Sequence, residues 1–134
     1  MSPEKDAELY RKYPMLYNQR NGDMKETCMC WGFECQNGWY DLIDELSAKL
    51  EAINQTLPEG EKIVAAQVKE KFSGLRFYID LVQNSISEKV YELIGEAEKK
   101  SYTICEQCGK PGKQFVENNW VSTVCPECRK QTKS

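Results

Sequence analysis

"IVAAQVKEKFSGLRFYIDLV", residues 63–82, decides the fold class of this chain. In its first half Val64, Ala66, Val68 and Phe72 fall on one face of an alternating pattern, and Leu75, Phe77, Ile79 and Leu81 do so in the second. Side chains of a strand alternate between faces, so each half reads as a strand with one apolar side. Ser73-Gly74 lies between them. A two-residue loop there closes an antiparallel hairpin in which Phe72 faces Leu75 and Val68 faces Ile79. A bulge at Gly74 would shift that register.

Helices flank the hairpin. Upstream, Leu42, Ile43, Leu46, Leu50, Ile53 and Leu57 recur at three- and four-residue steps, a helical stripe that begins at Trp39 and ends at Pro58-Glu59-Gly60. Asn37 is a candidate cap, and Asp41 and Asp44 suit the positive end of the helix dipole. Downstream, Ser85 and Glu88 fit a capping box ahead of Ile86, Val90, Leu93, Ile94 and Ala97. Gly95 inside that stripe costs about 1 kcal/mol against alanine, and the sequence gives no compensating reason. Ser2-Pro3 opens a shorter helix reaching about Tyr13, and Asn21-Gly22 marks a turn. The expected architecture is α+β: two main helices packed on a small antiparallel sheet over residues 1–102, then a zinc-ribbon appendage over residues 103–134.

The ribbon rests on Cys105, Cys108, Cys125 and Cys128, spaced C-x2-C-x16-C-x2-C. A C-x2-C turn lets two thiolates converge on one ion, and Gly109 gives the backbone freedom just after the first pair. "KQFVENNWVSTV" between the pairs reads as two short strands joined near Glu117-Asn118-Asn119. Four thiolates fill the tetrahedral shell of zinc and leave no position for water, so the expected zinc is structural. The tail has few large apolar residues, so metal ligation would supply much of its folding energy.

Composition narrows the chemistry. The 134 residues suit one domain with an appendage. Histidine is absent, which removes the commonest general base. Seven cysteines without a secretion signal argue against a disulfide framework and for free or metal-bound thiols in a cytosolic protein. No apolar run approaches the ~20 residues that span a bilayer, so no membrane association is expected. The net charge of −3 divides into −7 over residues 1–98 and +4 over residues 99–134, but a pI of about 5.2 argues against a nucleic-acid partner.

Cys28, Cys30 and Cys35 in "CMCWGFEC" follow C-x-C-x4-C, which matches no four-ligand spacing. Beside Trp31, Phe33, Trp39 and Tyr40 the stretch reads as core and pocket wall; the functional alternatives are stacking on a planar ligand and a second metal held by the three thiolates with an Asp or Glu from elsewhere. On the hairpin's polar face the simple register sets Lys71 opposite Arg76, Lys69 opposite Tyr78 and Gln67 opposite Asp80. Facing like charges are destabilising unless water or an anion lies between them. Lys69, Lys71, Arg76 and Tyr78, with Trp31 and Trp39 as stacking surfaces, are therefore candidate ligand-binding residues for a small anionic ligand. Glu70 falls on the apolar face, where it snorkels near the turn or pairs with a base; a carboxylate with raised pKa is the catalytic alternative.

"MCWGFECQNGWYDLIDEL", "QVKEKFSGLRFY" and "CEQCGKPGK…WVSTVCPEC" together resemble a family of small, functionally uncharacterised accessory proteins of tailed-bacteriophage and prophage genomes. The resemblance covers about residues 2–128. The chain departs from the family at Ser73, where related sequences often carry a second glycine, and at Cys128, where they often carry histidine; either donor suits structural zinc. The resemblance implies action in the host cytoplasm, in the manner of accessory proteins that bind a host factor or blunt a defence. The first expectation is a non-catalytic binding protein, an anti-defence protein sequestering a phosphate-bearing nucleotide-type ligand. The alternative is a protein–protein inhibitor or adaptor that docks on a host protein through the ribbon and its Trp120. A metal-dependent nuclease using carboxylates such as Glu70 is the weaker third, and a homodimer stays open.

Overall fold

A computed structural model describes residues 1–20, 22, 28–80 and 86–132. Asn21, Leu81 and Ser85, read above as turn, strand and cap, lie outside the described residues. The elements in chain order are α1 (Pro3–Lys12), β1 (Phe33–Glu34), α2 (Tyr40–Asn54), β2 (Val64–Lys71), β3 (Gly74–Asp80), α3 (Ser87–Ser101), β4 (Lys113–Glu117), β5 (Trp120–Val124) and α4 (Pro126–Thr132). The fold is α+β, with α2 and α3 packed on each other and α3 on β3.

The main sheet has the order β1-β2-β3. β2 and β3 form the expected antiparallel hairpin, and the very short β1 adds a parallel edge, pairing Phe33 with Val68. The β2–β3 register differs from the simple one. Lys71 pairs with Gly74, Lys69 with Arg76, Gln67 with Tyr78 and Val68 with Phe77. The turn residues are therefore Phe72 and Ser73, at φ 51° and 72°. Both occupy the left-handed region, where a residue with a side chain is strained and which two-residue hairpin loops require. A further irregularity between Ala65 and Gln67 shifts the alternation, so Ala65 as well as Val68 faces the core, while Phe72 is exposed because it sits in the turn.

Tertiary contacts select this turn over Ser73-Gly74. Ser73 is fully buried: its N–H donates to Glu70 Oε2 (2.8 Å), its carbonyl accepts from Thr123 Oγ1 (2.8 Å), and its Oγ accepts from Gln114 Nε2 (2.5 Å). Gly74 packs so closely on Tyr102 that a Cβ would overlap the phenol ring. A solvent-facing Ser73-Gly74 loop would abandon all of these contacts.

One apolar core runs between the sheet and the helices, with Leu9, Trp39, Ile43, Leu50, Val68 and Leu75 among its buried members. Buried polar groups pin the connections. Glu51 accepts from the N–H groups of Met15 (3.1 Å) and Leu16 (3.0 Å), and Asn54 bonds both polar groups of the Ile63 backbone. Asp6 receives Arg20 Nε (2.8 Å) and the Phe33 N–H (3.1 Å), tying α1 to β1. Ser2 caps α1 as expected, through Lys5 N–H. Asn37 does not cap α2; a 3-10 turn over Asn37–Trp39 leads into that helix, and the Asn37 side chain accepts from Ser2 N–H (2.8 Å) instead. No described helix is long and apolar enough to cross a membrane.

Candidate functional site

Four sulfurs meet at the base of the β4–β5 hairpin. The Sγ atoms of Cys105, Cys108, Cys125 and Cys128 lie within 4.8 Å of one another, with Cys108 and Cys125 at 3.6 Å. Thiolates around a tetrahedral ion with bonds of about 2.3 Å stand about 3.8 Å apart. The quartet is positioned to hold one metal ion.

Local backbone builds each half of it. Gly109, at φ 84°, lets the chain turn back so that its N–H reaches Cys105 O at 2.9 Å. In the second half Pro126 opens α4 and places Cys128 in its first turn, with the Cys128 N–H 3.4 Å from Cys125 Sγ. That N–H holds the Cys125 thiol down at about 7, toward the thiolate a metal requires. The ribbon's buried cluster is Cys105, Cys125 and Cys128 with Val124, and Phe115 packs against it. Ligand sulfurs stand where another small domain would carry an apolar core.

The ribbon is fastened to the body beside the sulfur quartet. Gly38 N–H donates to Glu106 O at 2.7 Å, Trp39 Nε1 to Ile104 O at 2.9 Å, and Gln36 N–H to Glu106 Oε2 at 3.0 Å. A Cβ on Gly38 would land on the carbonyls of Cys105 and Glu106. Burial raises the Glu106 carboxyl above its ordinary range, opposed by the Gln36 N–H and helped by the charge of Glu70.

The candidate ligand-binding residues are only partly brought together. Lys69, Lys71, Arg76 and Tyr78 share one face of the hairpin, but Arg76 faces Lys69 rather than Lys71, and Arg76 Nη1 bonds Glu98 Oε1 at 2.5 Å. Its charge is thereby matched within the protein. Lys71 and Tyr78 are exposed, and Trp31 is exposed on a 3-10 turn that lies against β2. Trp39 is 0% exposed, so its indole offers no stacking face to a ligand from solvent; the aromatic run that contains it folds inward as core. Cys35 lies in the same core, where burial lifts its thiol to about 12. Among the described residues the C-terminal quartet is the one group of thiols and carboxylates close enough to share an ion, and Cys28 and Cys30 do not join Cys35 in a second one.

A cleft of about 550 Å³ opens between ribbon and body. Its lining includes Glu70, Glu106, Glu117, Trp120, Val121 and Arg129. Glu70 shares the face of Leu75 and Phe77, as its position in the strand implied, but its carboxylate serves the turn at Ser73. The convergence of Glu70, Glu106 and Glu117 carries no sequence signal, because the three come from β2, a metal knuckle and a hairpin tip. Comparison of the chain with protein-family models, with curated proteins and with solved structures finds no match to any of them.

Proposed function

We propose that this chain is a non-catalytic binding protein whose zinc-clasped ribbon docks on another protein. The observation that carries the reading is the hairpin tip: Trp120 is 70% exposed and Val116 69%, on opposite faces beside the Asn118-Asn119 turn. Isolated exposed apolar side chains are ordinary. Here, however, two large ones stand at the end of a hairpin whose base is held by the sulfur quartet and by Ser73 and Gly38. A rigid base lowers the entropy lost on docking, and tryptophan is among the residues that dominate binding energy in interfaces. The all-thiolate donor set suits zinc in a structural role. On the family resemblance of residues 2–128, we place the chain among phage and prophage accessory proteins acting in the host cytoplasm on a host factor. The test is affinity capture from bacterial lysate with the zinc-loaded chain. A stoichiometric complex that Trp120→Ala with Val116→Thr weakens at least tenfold is expected; capture indifferent to both substitutions refutes the reading.

A second reading, sequestration of a phosphate-bearing nucleotide-type ligand, is supported by the exposed Lys71 and Tyr78 beside Lys69 and Arg76 on one hairpin face. Titration with nucleoside mono- and diphosphates tests it. Binding lost in Lys71→Ala and Tyr78→Ala supports it, and absence of binding removes it.

A further inference from the structure

We infer that the cleft between ribbon and body takes an extended, lysine- or arginine-bearing segment of the partner protein, laid along the outer edge of β5. The inference rests on the docking reading above and names the chemistry of what docks.

The backbone supplies the first argument. Thr123 O points away from β4, since it accepts Glu106 N–H at 3.0 Å. In an antiparallel pair alternate residues turn their N–H and C=O outward, so Val121, two positions earlier, presents both groups on the same side. Val121 lines the cleft. Glu106 therefore covers one end of the β5 edge, and among the described residues no backbone partner from outside the hairpin stands at Val121. An extended peptide can add itself to such an edge with a pair of backbone hydrogen bonds.

Charge and shape supply the second. Glu70, Glu106 and Glu117 line the cavity, whereas Arg129 is the cation in its lining and has its guanidinium 4.0 Å from the Phe115 ring centre. Glu106 is 9% exposed and held by Gln36 N–H, so its carboxylate is fixed in the wall rather than free to swing outward. Trp120 stands exposed at the rim, where its face can meet a cationic side chain. Side chains of a bound strand alternate, so every second residue of the segment would point at this acidic and aromatic wall.

The probe is a capped peptide of alternating threonine and lysine, titrated into the isotope-labelled, zinc-loaded full chain and followed by amide shifts. The Val121 N–H and the Trp120 indole are expected to move, and the glutamate counterpart should bind at least tenfold more weakly. N-methylation of the peptide at alternate residues on its edge-facing side should weaken binding about tenfold. Glu117→Gln, at an exposed position, should weaken it about threefold, with the amide spectrum of the free variant checking that the fold is retained. Equal binding of the two peptides, indifference to N-methylation, shifts centred away from β5, or no binding at millimolar peptide overturns the inference. Should that happen while Val116 and Trp120 still govern partner capture, the docking reading survives and only the cleft falls.

Discussion

Replacing Gly38 with alanine tests whether the ribbon is fastened to the body at this point. The added Cβ would overlap the Cys105 and Glu106 carbonyls, which belong to a metal knuckle and are not flexible side-chain ends. Relief requires residues 36–39 to withdraw from residues 104–106. That withdrawal strains or breaks three hydrogen bonds: Gly38 N–H to Glu106 O, Trp39 Nε1 to Ile104 O, and Gln36 N–H to Glu106 Oε2. At about 1 kcal/mol net for each, less about 0.5 kcal/mol for the stiffer unfolded chain, the substitution should destabilise by about 2–3 kcal/mol. For a chain of this size that is a fall in Tm of roughly 10 °C. The assay is thermal unfolding at fixed excess zinc, followed by tryptophan fluorescence, with zinc affinity measured by chelator competition. Both the melt and the affinity should drop, since Cys105 lies in the displaced segment. A variant melting within a degree of the parent would refute the idea that the two parts are locked together here.

The same substitution at Gly95 should have the opposite sign. A Cβ there meets nothing within 4 Å, so Gly95→Ala should stabilise by about 0.5–1 kcal/mol in urea unfolding; a loss of stability would show an unrecognised constraint in α3. Chelation should remove one metal ion per chain and collapse the β4–β5 hairpin while α2 and α3 persist, because the ribbon's buried cluster is mostly ligand sulfur. Circular dichroism and hydrogen exchange check this, and a hairpin that stays protected without metal contradicts it. Burial pushes the Asp44 carboxyl up, but the hydrogen bonds from Lys12 and Tyr13 outweigh it and hold the group below its ordinary 3.8. A depressed carboxylate stabilises the fold above that value and ceases to as pH falls through its folded pKa. Asp44→Asn should therefore cost a few tenths to about 1 kcal/mol at neutral pH, and the cost should shrink as pH falls below 3.8; a pH-independent difference excludes the linkage.

Local patterns were legible wherever one element carried its own reason. Ser2 followed by Pro3 caps α1, the apolar stripe from Leu42 to Ile53 makes α2, and Pro58-Glu59-Gly60 follows its end. Reading failed where a distant group competed. Asn37 was a sound candidate cap, yet its amide is taken by Ser2 N–H, 35 residues away. Trp39 looked available for stacking within an aromatic run, but its indole N–H finds Ile104 O and the ring becomes core.

By itself the sequence determined the α+β class, the hairpin's existence and the four cysteines positioned to hold an ion. Each depends on period or spacing within a short segment, and chain geometry converts those directly into a face or a knuckle. Only the tertiary structure decided the hairpin's register, the pairing of Arg76 with Glu98 and the acidic cleft along β5. The register turns on Ser73, whose partners Gln114 and Thr123 lie 41 and 50 residues further along the chain. Contacts at that separation exist only once the ribbon has folded back onto the body, so no local pattern could encode them.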